Sequence, residues 1–572
     1  MTVLFNDPLR TYPTFEEATL LSKELNIPLH SDYTFYWKLV PGEEIIKLRE
    51  WLQSGKVKLD EKGIKKLILP YYSKNENHIK AKKILNELGM PHQLIGKENV
   101  VINRKEAKTL AFCFNFKDQK ELEIFNSTPE MGKGKNGLEV INSICNISLR
   151  DKAGTFIGAR MGRPEKGKMR KMIGSPQVMF PVGDEGGRLK SFQAAMKEGK
   201  IKSFFPTFYC NKCERESVYR ICVNCNEFCE QKYHCRFCGD LEEKTCRHGD
   251  AQKHSHRDID IKYYFDKAKE GIKEKLHPDL IKGVRSTSNK DHIPENLAKG
   301  ILRAKHRIYV NKDGTTRYDA TELPLTHFKP KEIRASVEKL KELGYEKDIY
   351  GEDLTNENQI LEIKPQDVVL PGYDSIEESA AKVLLRVSQF LDELLVKFYN
   401  LKPFFNAKTA DDLIGHLVIG LAPHISAGIV GRIIGFSETQ ALLAHPMYHA
   451  AMRRDCDGDE ACVMLLMDAL LNFSRQYLPE RRGAKTMDAP LVLTSTIYPS
   501  EVDDQVLDMD TVWHYPLEFY EATLEMKKPW EVKVEQLSKR LGKPEQYEKM
   551  GFTHHTENFN KGVLCSAYKT LP

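Results

Sequence analysis

At 572 residues and 41% hydrophobic content, the chain can build several domains, roughly three or four, with real cores. Its net charge of +5 balances 86 basic against 81 acidic residues, so the average charge points to no particular partner. No run of about 18 apolar residues occurs, and the N-terminus lacks a basic region followed by an apolar one; the reading is of a cytoplasmic chain with no membrane span and no signal peptide.

In chain order, Phe15–Leu25 has helical spacing, and so has Ile79–Leu88, which Gly89 can close as a C-cap. Leu67-Ile-Leu-Pro70 between them is a strand candidate. Residues 160–171 are basic and turn-rich: Arg160, Arg163, Lys166, Lys168, Arg170 and Lys171 crowd one stretch that Gly162 and Pro164 keep from being a plain helix. Such a stretch is a solvated loop or a phosphate clamp. Residues 176–183 read as a short strand.

Eight of the thirteen cysteines fall within 210–246, a density of metal binding and not of a disulfide framework. Cys210-x2-Cys213 followed by Cys222-x2-Cys225 has zinc-ribbon spacing, each CxxC offering two thiolates to one tetrahedral ion. Cys229, Cys235, Cys238 and Cys246 form a second set, with His234 and His248 as alternative fourth ligands. Both sets have four protein ligands and no open position, so one or two structural Zn²⁺ are expected.

Residues 250–370 are highly charged and predict linkers and surface helices, among them Lys329–Leu343. An amphipathic helix is predicted over 376–400. The apolar stretch 413–437 carries Gly415, Gly420, Gly428, Gly431 and Gly435, which suits tight strand turns and close backbone approach. Ala461–Tyr477 is apolar and long enough for a buried helix.

The most informative stretch is 453–460, Arg-Arg-Asp-Cys-Asp-Gly-Asp-Glu. Asp455, Asp457 and Asp459 alternate around one glycine, so up to three carboxylates can converge. Left uncompensated they repel, and protons or a hard cation must neutralise them. Mg²⁺ fits best, since it prefers few carboxylates plus water and phosphates, and Arg453 and Arg454 suit an anionic substrate. An EF-hand fails: counted from Asp455, the glycine position holds Glu460 and the glutamate position holds Leu466. A phosphatase nucleophile would end an apolar strand, which His449-Ala-Ala-Met-Arg-Arg454 is not. Metal-assisted phosphoryl or nucleotidyl transfer is the chemistry that remains. His424, His445 and His449 flank the motif, either lining the site or buried and hydrogen-bonded. Arg481, Arg482 and Lys485 are candidate contacts to a nucleic-acid backbone, or pair with nearby acids.

The runs Leu413–Ala427 and Gly428–Phe436, His445-Pro, the acidic motif, Asp468–Arg475, Met487–Thr494 and, upstream, Phe156–Lys166 together resemble the large subunit of the archaeal family D DNA polymerase over nearly the whole chain. The resemblance implies a multidomain α+β fold. Its catalytic core would be two double-psi β-barrels, as in multisubunit RNA polymerases, with an inserted zinc ribbon and peripheral helices. It implies DNA-templated DNA synthesis at a two-Mg²⁺ centre, in a nucleoid-associated setting. Asp457 and Asp459 match the metal-binding aspartates, Lys168 and Lys171 fall in the first-barrel lysine motif, and Lys166 stands beside them.

Implied partners are primer–template DNA, deoxynucleotides, a small subunit carrying the exonuclease, and a sliding clamp met through another segment. The family usually has asparagine where this chain has Asp455. Its large subunit is also longer, so this chain is expected to be one piece of a split or truncated subunit, with missing segments supplied as separate chains. The expected domains are an accessory α/β domain at 1–110, a first barrel region at 111–208, the zinc module at 209–250, and a charged linker and helical region at 251–374. A second barrel region at 375–530 and an incomplete segment at 531–572 complete the series. The rival readings are a non-catalytic, zinc-containing DNA-binding scaffold and, from the DxDGD form alone, RNA synthesis.

Overall fold

The computed structural model describes residues 12–96, 98–124, 132–152, 175–374, 378–423, 425, 427–456, 458–479, 491–551 and 558–561. It divides into two compact units, Met1–Gly158 with Tyr520–Lys527, and Ala159–Phe519 with Lys528–Pro572.

In the first unit, α1 (Phe15–Leu25) starts at a capping box in which Thr14 accepts from the Glu17 N–H and the Glu17 carboxylate returns to Thr14. Helix α2 (Gly42–Gln53) leads to a four-stranded antiparallel sheet of order β1-β2-β4-β3. These strands are β1 (Lys56–Asp60), β2 (Gly63–Pro70), β3 (Gln93–Ile95) and β4 (Asn99–Asn103). Helix α3 (Glu76–Glu87) is capped by Asn75, and Gly89 follows it at φ +65, the left-handed exit its sequence promised. In β2, Ile64, Leu67 and Leu69 are buried while the lysines beside Ile64 are not, so one face packs on Ile45, Leu48, Ile84 and Leu85.

The second unit is built around a closed six-stranded β-barrel. Its strands are β5 (Tyr318–Pro324), β6 (Asp367–Pro371), β7 (Leu417–Leu421), β8 (Ala427–Ser437), β9 (Ala441–Ala444) and β10 (Glu460–Leu465). Around the barrel the order is β6-β9-β5-β10-β7-β8, and a parallel pairing of β8 with β6 closes it. Strands β5 and β9 are also parallel, and the remaining neighbours are antiparallel. Closure removes free edges.

Glycine in 413–437 serves close approach. A Cβ at Gly420 or Gly431 would lie 2.6 Å from the Tyr448 hydroxyl, which donates to the Ile429 carbonyl from inside the barrel. Tyr448 belongs to a short helix, α4 (Pro446–Ala451), that plugs the barrel with Met447 and Tyr448, both fully buried.

Several local expectations change. Ala461–Tyr477 is not one helix: β10 runs to Leu465 and a short helix, Leu466–Asn472, follows. β10 is paired on both sides and buried from Ala461 to Leu465, and such a continuous apolar run has no period to tell strand from helix. Residues 318–324 and 367–371, within the stretch read as charged linker and helices, are barrel strands. Polar residues Asp319, Thr321, Glu322 and Asp367 are buried there, which hid the strand signal. The helix at 329–343 shortens to Val337–Glu342, because Arg334 takes a left-handed backbone, φ +55, ahead of the Ser336 cap. The strand expected at 176–183 is reduced to one bridge, Pro181 to Val284. The helix expected at 376–400 is present as Ala380–Lys397, capped by Ser379. Among the described residues, no helix is long and apolar enough to cross a membrane.

Candidate metal centres and acidic loop

Cys210, Cys213, Cys222 and Cys225 bring their sulfurs within 4.8 Å of one another. The Cys210–Cys225 and Cys213–Cys222 separations are 3.5 and 3.9 Å. A tetrahedral ion with Zn–S near 2.3 Å needs sulfurs about 3.8 Å apart, so the set fits zinc. The Cys213 backbone N–H, directed at Cys210, draws that thiol down to about 7, toward the thiolate a metal requires.

The second set is Cys235, Cys238, Cys246 and His248. His248 Nδ1 lies 3.7, 3.2 and 3.9 Å from the three sulfurs. The N–H groups of Phe237 and Cys238 lower Cys235 to about 6. The structure groups His248, one of the alternative fourth ligands, and not Cys229, with these three sulfurs. Cys229 is buried against Phe208, Cys210 and Cys222, where burial raises its thiol to about 11. The other alternative, His234, is engaged by Asp240 at 2.7 Å. In sequence, Cys246-Arg-His248 carried the signal, but only folding distinguishes two histidines equally near in the chain.

The acidic loop joins α4 to β10. Arg453, Cys456 and Gly458 all have left-handed φ, +62, +60 and +98, so the loop is tightly turned. Asp455 is exposed and Asp459 is buried. Arg454 Nη1 reaches Asp459 Oδ2 at 3.4 Å, and Arg453 is exposed. Asp457, Lys166, Lys168, Lys171, Arg160, Arg163, Arg481, Arg482, Lys485 and His424 lie outside the described residues.

Behind the loop stand one residue that the sequence did not single out and one of the histidines that flank the motif. Glu322 on β5 and His449 on α4 are both fully buried and face each other at 2.8 Å. Burial would raise the Glu322 carboxyl, but the His449 ring and the N–H groups of Gly458 and Asp459 together hold it below its usual range.

His445, at the start of α4, accepts the Met447 N–H on Nδ1 at 3.1 Å, and burial pulls its imidazole down to about 3. It is therefore neutral in the fold, whereas in the unfolded chain it titrates near 6.5. Its contribution is fully present above about pH 6.5 and is lost as pH falls toward 3. At pH 5 the loss is about 2 kcal/mol. His445→Asn keeps the capping acceptor and is expected to show a smaller fall in urea midpoint from pH 7 to pH 5. An identical fall in both proteins would exclude His445 as the source.

The chain matches two family models: residues 7–244 match the central domain of DNA polymerase II large subunit DP2, and residues 273–572 match its catalytic domain. Curated relatives named DNA polymerase II large subunit include one from Archaeoglobus fulgidus, 46% identical over 97% of this chain and 48% of its own length. Others come from Nanoarchaeum equitans, 42% identical over 99% of this chain and 48% of the relative, and Pyrococcus furiosus, 44% identical over 99% and 44%. The chain thus spans about half the length of the curated relatives it matches. With its central and catalytic regions both matched, it belongs to the DNA polymerase II large-subunit family, the archaeal family that its motifs resemble.

Proposed function

We propose that this chain carries the polymerising centre of a DNA-templated DNA polymerase. The observation that carries this reading is the acidic loop entering a strand of a closed six-stranded barrel, in a region matched to a polymerase catalytic domain. The mixed parallel and antiparallel pairing supports a double-psi barrel, and a second one in the region 111–208 rests on the family resemblance alone. The domain reading is kept, with the second barrel region extended to include 318–324 and 367–371.

Asp457 and Asp459 present hard oxygen donors that suit Mg²⁺. Two such ions held there would activate a primer 3′-hydroxyl and neutralise the triphosphate and departing pyrophosphate. Lys168 and Lys171, with Lys166, supply positive charge to the phosphates, and Arg453 and Arg454 help hold the anionic substrate. Arg160, Arg163, Arg481, Arg482 and Lys485 follow the DNA backbone, positioning it without reading sequence. Two zinc ions, one in each cysteine cluster, brace the module at 209–250. The relatives are named large subunits, so a small subunit bearing the exonuclease and further large-subunit segments complete the enzyme, with clamp contact made elsewhere.

The test is primer extension with Mg²⁺ by the chain reconstituted with those partners, beside Asp457→Ala/Asp459→Ala. Extension by the parent alone places the chemistry here. Equal extension by both makes this chain a zinc-braced DNA-binding scaffold, and a preference for ribonucleotides makes the product RNA. Asp455 supplies a third carboxylate, so Asp455→Asn is expected to raise the Mg²⁺ needed for half-maximal extension severalfold. An unchanged requirement removes Asp455 from the ligand set.

A further inference from the structure

Two ionisable side chains buried against each other are seldom the most stable way to fill space, since apolar residues of similar volume avoid the desolvation cost. Glu322 and His449 nevertheless lie fully buried behind the acidic loop, and the chemistry proposed above does not use them. Their bonds explain what an apolar pair would fail to do. Glu322 Oε1 accepts from the Gly458 N–H at 3.4 Å, and the Glu322 backbone N–H donates to the Asp459 carbonyl at 2.9 Å. His449 Nε2 donates to the Leu323 carbonyl at 2.9 Å, while its own carbonyl accepts from the Arg454 N–H at 3.1 Å. The start of the loop is thus tied to α4 and its end to β5, and the two side chains that carry those anchors meet at 2.8 Å, with Glu322 Oε2 and His449 Nδ1 facing each other outside hydrogen-bond geometry. Gly458, at φ +98, points its N–H into the interior, where an acceptor is required.

We infer that Glu322 and His449 form a positioning pair that sets the acidic loop in the geometry needed to hold a divalent cation. This inference rests on the polymerase reading for the purpose of that cation. The pair touches neither substrate nor reacting atoms; it acts through Gly458 and Asp459.

The experiment uses the full reconstituted complex and three altered forms, with Asp459→Ala as control. Mn²⁺ affinity is read by electron paramagnetic resonance, beside the Mg²⁺ dependence of extension, the deoxynucleotide KM at saturating Mg²⁺, and the thermal midpoint. Glu322→Met/His449→Leu is expected to keep the KM and to lower the thermal midpoint by several degrees, since the Gly458 N–H and the Leu323 carbonyl lose their partners, while Mn²⁺ affinity and the Mg²⁺ requirement worsen roughly tenfold or more. Glu322→Gln, whose carbonyl still accepts from Gly458, should stay within roughly a factor of three of the parent. Glu322→Asp keeps the charge but withdraws the acceptor by one methylene, and should lose Mn²⁺ affinity.

Parent-like Mn²⁺ affinity in the double variant overturns the inference, as does a glutamine variant as impaired as the double one. Should the double variant fail to fold, the aspartate variant decides: parent-like Mn²⁺ affinity overturns the inference. Parent-like extension by Asp459→Ala sinks the polymerase reading instead, which keeps the two failures distinct.

Discussion

Asp459→Ala is expected to lower primer extension by roughly three orders of magnitude, the several kcal/mol a metal clamp contributes to transition-state charge. The loss should be chemical and not conformational. The strand anchor at this position is the Asp459 carbonyl, which accepts from the Glu322 N–H at 2.9 Å and is untouched by the substitution. The side chain, itself buried, makes a 3.4 Å contact with the partly exposed Arg454 guanidinium. A thermal midpoint within a few degrees of the parent, together with unchanged primer–template binding, is the expected accompaniment. Parent-like extension would sink the polymerase reading, and a fall only in step with the thermal midpoint would remove Asp459 from the catalytic set.

The second large effect concerns zinc. Metal analysis after exhaustive dialysis is expected to find two ions per chain. Cys213→Ser and Cys238→Ser should each retain one, and Cys229→Ser should retain both. Structural zinc contributes about 10–16 kcal/mol of apparent binding free energy in small modules near pH 7. The strands here are two or three residues long, too short to stand without it. Strong chelation should therefore raise amide exchange across 207–253 while residues 417–421 and 460–465 of the barrel keep their protection. One zinc in the parent would remove the second site, and loss of an ion in Cys229→Ser would restore the ligand set read from spacing.

The sequence by itself determined whatever chemistry forces on neighbours in the chain. CxxC spacing announced the cysteine knuckles because two thiolates must reach one ion across a fixed turn. The alternating aspartates raised the expectation of a cation because such charges cannot sit together unneutralised. Helical spacing located the helices near 15–25, 79–88 and 376–400, and the structure starts them at the caps Thr14, Asn75 and Ser379. Only the tertiary structure decided what depends on partners distant in sequence. Whether Ala461–Leu465 is strand or helix depends on β5 and β7 pairing from either side. Tyr318–Pro324 reads as polar linker until its acids are buried among partners from elsewhere in the unit. His248 and Cys229 exchange roles because the chain folds back to bring Nδ1 onto three sulfurs. Glu322 lies 136 residues from Gly458, and no local pattern registers a hydrogen bond made at that separation.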